Sequence, residues 1–145
     1  MKNEQENTDM AVLEAIDRLS KQPAREVAHL VLDHISIFIL GATAKKGMTA
    51  ADIAASMAIS TASCYKIVAE LERLGLMTRC GSCRTTGKGK ANVYISVVQS
   101  LNLEMKDDKV RLCLMLKNGN TLQFNRDLNA GVGSHAMARK PDQTG

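Results

Sequence analysis

Aromatic side chains are nearly missing from this 145-residue sequence: there is no Trp, and Phe38, Tyr65, Tyr94 and Phe124 make up the whole aromatic complement. Stacking platforms for single-stranded nucleic acid are therefore excluded, and the core has to be assembled from Ala, Ile, Leu, Val and the eight Met. Long apolar runs are missing too. The longest, around Ile35 to Ala44, follows Asp33 and His34 and falls well short of the ~18 to 20 residues that cross a bilayer, so no membrane span is expected. The start, Met1-Lys-Asn-Glu-Gln-Glu-Asn, lacks the basic, apolar and small-residue regions of a secretory signal, and a cytoplasmic protein is expected. In that compartment the four cysteines are expected as reduced thiols, metal ligands or redox groups rather than a disulfide framework. Also absent are a nucleophile elbow, a phosphate loop and a paired carboxylate in a plausible cleft. Gly87-Lys88-Gly89-Lys90 has neither the spacing nor the following Ser/Thr of a Walker loop, and no enzyme is expected.

What the sequence does contain is ordinary globular material, 45% hydrophobic and 23% charged, in a length that fits one core. Its net charge of +4 is unevenly placed: residues 1–44 hold four basic and seven acidic groups, 45–90 eight and three, and 91–145 seven and five. The stretch from Arg79 to Lys90 holds Arg79, Arg84, Lys88 and Lys90 with no acid. Such a concentration points to a polyanionic partner, the alternative being a solvated, glycine-rich basic loop.

Periodicity divides the chain into four parts. In residues 1–44, Val12, Ala15, Ile16 and Leu19 mark a short amphipathic helix behind an Asp9 cap, and Pro23 opens a second helix running to about Ala44. That second helix is apolar nearly all round, which implies burial inside the chain or at a subunit interface. In residues 45–98, Thr49-Ala-Ala-Asp52 has the hydroxyl-x-x-acid spacing of a helix start, followed by about two turns. Ala58-Ile59-Ser60 makes a tight turn, Ser60 or Thr61 caps a third helix with Cys64, Val68, Leu71 and Leu74 on one face, and Gly75 ends it. Leu76–Cys80 and Asn92–Val98 read as a hairpin with a long basic loop. Residues 99–128 alternate as a small β-meander around an Asn118-Gly119 turn, and 129–145 read as a mobile tail.

Helix, tight turn, helix, glycine and basic hairpin follow one another from Met48 to Val98, and this order resembles the winged helix-turn-helix of prokaryotic transcription regulators of the MarR, ArsR and TrmB types. The stations that carry the resemblance are Met48-Thr-Ala-Ala-Asp-Ile-Ala-Ala-Ser-Met-Ala-Ile-Ser60, Cys64-Tyr-Lys-Ile-Val-Ala-Glu-Leu-Glu-Arg-Leu-Gly-Leu-Met77 and Thr86-Gly-Lys-Gly-Lys-Ala-Asn-Val-Tyr94. They span about a third of the chain. The resemblance implies an α+β fold, a winged helix-turn-helix with N-terminal dimerisation helices and a small C-terminal β-meander. It also implies a homodimer on double-stranded DNA, with the third helix in the major groove and the hairpin tip on backbone or minor groove.

On that reading Ser60, Thr61 and Ser63 offer hydroxyls and free N–H groups to phosphate at a helix start. Tyr65 and Lys66 reach bases or backbone, and Thr49, Arg79, Arg84, Thr86, Lys88 and Lys90 complete the DNA-binding set. A winged helix also serves as a protein-docking module, and that alternative stays open. Cys80-Gly81-Ser82-Cys83 is a lone C-x-x-C, incomplete as a zinc site within one chain. Plain reduced thiols are the first expectation. A zinc site shared between subunits, or a reversible disulfide with a low-pKa thiolate favoured by Arg79 and Arg84, are the competing ones. Otherwise no cofactor is expected.

Overall fold

The computed structural model describes residues 2–84 and 89–127. The described chain is mixed α+β: five helices, α1 (Lys2–Ser20), α2 (Ala24–Val31), α3 (His34–Ala42), α4 (Ala50–Met57) and α5 (Thr61–Leu74), and six strands. The strands β1 (Met48–Thr49), β2 (Met77–Arg84) and β3 (Lys90–Ser96) form one antiparallel sheet in the order β1-β3-β2. A second antiparallel sheet holds β4 (Val98–Lys106), β5 (Lys109–Leu116) and β6 (Thr121–Asp127) in chain order. No described helix is long and apolar enough to cross a membrane.

Helix α1 buries Val12, Ala15, Ile16 and Leu19, the stripe that the sequence marks, and lies against β2 and α5. It begins far earlier than Asp9. The Asp9 carboxylate accepts a hydrogen bond from Gln5 Nε2 at 3.0 Å within the helix instead of capping its start.

The helix expected over 24–44 is two helices. Asp33 sits at the N-cap of α3 in extended conformation, and its carboxylate accepts from the Ser36 backbone N–H at 3.0 Å. A capping carboxylate competes successfully with continued helix because it satisfies a donor that a helix start leaves open. Pro23 is the residue before α2, its carbonyl accepting from the N–H groups of Glu26 and Val27 at 3.1 Å. The break lets α2 bury Val27 and Val31 while α3 buries Ser36, Ile39 and Leu40. Most of the apolar surface of residues 1–44 is thus used inside the chain, and Met10, Leu13, Leu32 and Phe38 remain exposed.

Both sheets differ from expectation at their turns. The β2–β3 arms run on to Arg84↔Lys90, so the expected long loop from Gly81 to Ala91 is mostly paired strand; few apolar side chains mark this stretch, and pairing with β3 alone reveals it. Near Ser96 the chain turns from the first sheet into the second. The buried Ser96 hydroxyl bridges Val98 N–H and C=O, while Val97 N–H donates to Leu76 O and Lys117 N–H to Val97 O. The meander therefore starts at Val98. Its first hairpin turns at Asp107-Asp108, both at positive φ (54° and 62°), the geometry of a two-residue primed turn that favours Asn, Asp and Gly. Its second turns at Asn118-Gly119, with Asn118 Oδ1 accepting from Asn120 N–H.

Helix α5 ends at Gly75, whose φ of +91° is left-handed. A Cβ there would press on the backbone of α1, reaching Ala15 O and lying 2.7 Å from Leu19 N. Positive φ and close approach act together, so Gly75→Ala is expected to lower stability by on the order of 3 kcal/mol, measured by urea denaturation.

Candidate nucleic-acid interface

Helices α4 and α5 pack through a sharp turn. Ala58 takes the left-handed conformation, φ 58° and ψ 42°, and Ile59 N–H reaches back to Ala54 O at 3.1 Å, the closing bond of a Schellman end. Ser60 then caps α5, its Oγ accepting from Ser63 N–H at 3.1 Å and hydrogen-bonded to Ser63 Oγ at 2.9 Å. Cys64, Val68, Leu71 and Leu74 are buried, and the Cys64 thiol donates to Ala50 O at 3.3 Å across the α4–α5 contact. Burial pushes that thiol's pKa up.

With those four residues inside, Thr61, Ser63, Tyr65 and Lys66 are exposed around the first turns of α5, as is Ser60. Tyr65 is 52% exposed. Five of the expected contact residues are therefore open to solvent around the first turns of α5, near the positive end of the helix dipole.

The remaining members lie elsewhere. Thr49 is buried, and its hydroxyl accepts from Asp52 N–H at 3.1 Å; it caps α4, so its expected DNA contact is withdrawn. Arg79 on β2 is held by Glu72 at 3.0 Å, with its guanidinium 5.8 Å from the centre of the Tyr94 ring. Glu72 is in the last turn of α5, about 16 Å along the axis from Thr61, so Arg79 neither joins the helix-start cluster nor offers an unneutralised charge. Lys90 is exposed and is the register partner of Arg84. The backbone of Arg84 belongs to β2; its side chain, and Thr86 and Lys88 entirely, lie outside the described residues.

Two features escaped sequence reasoning. Arg73 bridges Glu26 of α2 at 2.7 Å and Glu70 at 3.0 Å, tying α5 to the preceding helices. Its hydrogen bonds to the accepting carboxylates of Glu70, then Glu26, hold the guanidinium still more firmly protonated. Lys45 and Lys46, exposed just before β1, join Lys66 and Lys90 as cations without an ion pair among the described residues.

Both cysteines lie on β2, Cys83 where the sequence places the basic loop. Cys80 occupies a β-bulge between Arg79 and Gly81, and Cys83 pairs with Ala91 further along β2. Three strand steps place their Cα atoms roughly 9 to 10 Å apart, beyond the ~7 Å that a disulfide spans. Cys80 is a half-buried free thiol. Gly47 passes so close that a Cβ there would lie 2.8 Å from its Sγ. Burial raises the Cys80 pKa, outweighing the Lys117 ammonium that lowers it, the reverse of an activated thiolate. No group of three or more His, Cys, Asp or Glu among the described residues is arranged to hold a metal.

A cleft of about 860 Å³ opens between α2 and β5–β6, lined by Ala28, Leu32, Val110, Leu112 and Phe124 with Arg25 and His29 among its polar groups. Its two carboxylates are engaged, Glu26 with Arg73 and Asp33 as the α3 cap.

No protein-family model and no curated protein matches the chain.

The exposed first turns of α5 thus carry hydroxyls, a phenol and an ammonium, groups suited to contact with an anion. The raised Cys80 pKa sets its own expectation. At near-neutral pH Cys80 should react with a maleimide more slowly than a cysteine in a short peptide, read by mass spectrometry of the modified chain.

Proposed function

We propose that residues 45–98 work as a winged helix-turn-helix and that the protein is a cytoplasmic, sequence-specific DNA-binding transcription regulator acting as a homodimer, a binding protein rather than an enzyme. The observation that carries this reading is the exposed start of α5, where Ser60, Thr61, Ser63, Tyr65 and Lys66 are all open to solvent. Strand order β1-β3-β2 around the α4–α5 pair supports it, as does the hairpin whose tip sequence, Thr85 to Lys90, contains no acid. The helix would enter the major groove by its amino-terminal end, and the hairpin tip would follow neighbouring phosphates. Lys66 is the one cation on the helix-start cluster, so base readout per copy is modest and two copies are needed for a selective site.

Fluorescence anisotropy with random duplex DNA at two salt concentrations tests the reading. Salt-weakened binding is expected, because phosphate contacts release counterions; absence of binding at low salt would favour a protein-docking module instead. Lys88→Ala combined with Lys90→Ala should weaken binding to every sequence and flatten the salt dependence by up to roughly two phosphate contacts. Lys66→Ala or Ser63→Ala should instead change the ranking among sequences, by about 1–3 kcal/mol where a base contact is lost.

A further inference from the structure

The second sheet has two edges, and they differ. On β6 the core-facing Phe124 is only 4% exposed. On β4, Leu101 stands opposite Leu114 and Leu103 opposite Leu112; directly opposed residues share a face, and Leu114 and Leu112 are buried. Leu103 and Met105 therefore point to the core side of the sheet, yet they are 50% and 75% exposed. The apolar face runs past the last strand with nothing over it among the described residues.

The backbone of β4 is open in the same place. Lys106 and Lys109 close the two-residue Asp107-Asp108 turn, so they exchange their backbone bonds with each other. Backbone direction alternates along a strand, which leaves the N–H and C=O groups of Leu101, Leu103 and Met105 pointing away from β5. Nine residues of strand without proline present those groups with no backbone partner among the described residues, the condition in which a sheet edge recruits another strand.

We propose that this edge pairs antiparallel with β4 of a second copy of the chain, centred on Leu103, joining the two meanders into a continuous six-stranded sheet. In that register Leu103 faces its own copy and Leu101 faces Met105, so the apolar face is continuous across the two-fold axis. On the other face Ser100 meets Lys106 and Asn102 meets Glu104, with no like charges opposed. Glu104 also keeps Arg111 of its own chain at 3.9 Å. A centre at Glu104 would use the same outward backbone groups, but it places two carboxylates directly opposite each other in a close, non-hydrogen-bonded pair, which like charge disfavours. An isologous contact of this kind closes at two subunits. It supplies a pairing surface for the homodimer of the proposed function, and its test uses no DNA, so either reading can fail alone.

Sedimentation velocity of the full chain in reductant is the first measurement, with a dimer expected. Leu103→Pro removes an N–H that points outward and leaves the bonds to β5 in place; it should convert the dimer to monomer with an unchanged far-UV circular dichroism spectrum. Met105→Lys should do the same, and it decides the matter if Leu103→Pro does not fold. Paired Leu103 residues would lie about 5.5 Å apart at Cα, within disulfide range, so Leu103→Cys should form a covalent dimer on oxidation. Asn102→Cys should cross-link no more than the unchanged chain. A monomeric unchanged chain, as when residues 128–145 cover the edge, overturns the proposal. So does a dimer that survives Met105→Lys and is lost with Leu13→Asp or Phe38→Asp, which would place the contact on the helices.

Discussion

Everything at the candidate interface depends on which way α5 is rolled. Cys64, Val68, Leu71 and Leu74 are buried along one side, and each successive residue turns about 100° around the axis. A roll of one residue would carry Tyr65 inward and bring Cys64 off the Ala50 carbonyl. The apolar stripe resists that roll because every one of its members would lose its contacts together. The terminal constraint is equally strict: the left-handed Gly75 fits beneath the backbone of α1 only because it has no Cβ. Thr61, Tyr65 and Lys66 are held to solvent as a consequence of these apolar contacts, while the Ser60 and Ser63 hydroxyls are also tied to each other by the helix cap.

Electrostatics then reduces what the formal charge suggests. Arg73 and Arg79, both counted in the basic middle third of the chain, are engaged by Glu26 and Glu70 and by Glu72. These pairs are exposed and contribute little to stability. Their larger effect is on the field near the helix: among the described residues, the cations left without acidic partners there, Lys45, Lys46, Lys66 and Lys90, stand at the start of the α4–α5 unit, on α5 and at the hairpin. A charge count along the sequence cannot register this, because Glu26 and Arg73 are 47 residues apart.

Elements governed by short-range rules were legible in advance. Thr49 and Ser60 cap their helices, Ala58 turns, Gly75 terminates, and the buried positions of α1 and α5 fall where the helical period puts them. The break at Asp33 was hidden because Leu30, Val31, Ile35, Phe38 and Ile39 keep one helical period across it, and that periodicity outweighed the Asp33-x-x-Ser36 signal. The length of the β2–β3 arms was hidden because Gly81, Ser82 and Cys83 carry no alternating pattern; their state is set by pairing with Asn92 and its neighbours. Among the expected contact residues, Ser60, Thr61, Ser63, Tyr65 and Lys66 could be grouped from helix geometry alone. The burial of Thr49 and the capture of Arg79 by Glu72 belong to tertiary packing.

By itself, then, the sequence determined the caps of α4 and α5, the inward face of α5, the mixed α+β class and the scarcity of aromatic surface, since each follows from a propensity or period acting within a few residues. Tertiary structure alone decided that Arg73 and Arg79 are neutralised, that Cys80 is a half-buried thiol of raised pKa at a bulge, and that β4 leaves Leu103 and Met105 uncovered at an open edge. Those outcomes depend on which distant segments meet, and neither composition nor periodicity carries information about contacts between residues far apart in the chain.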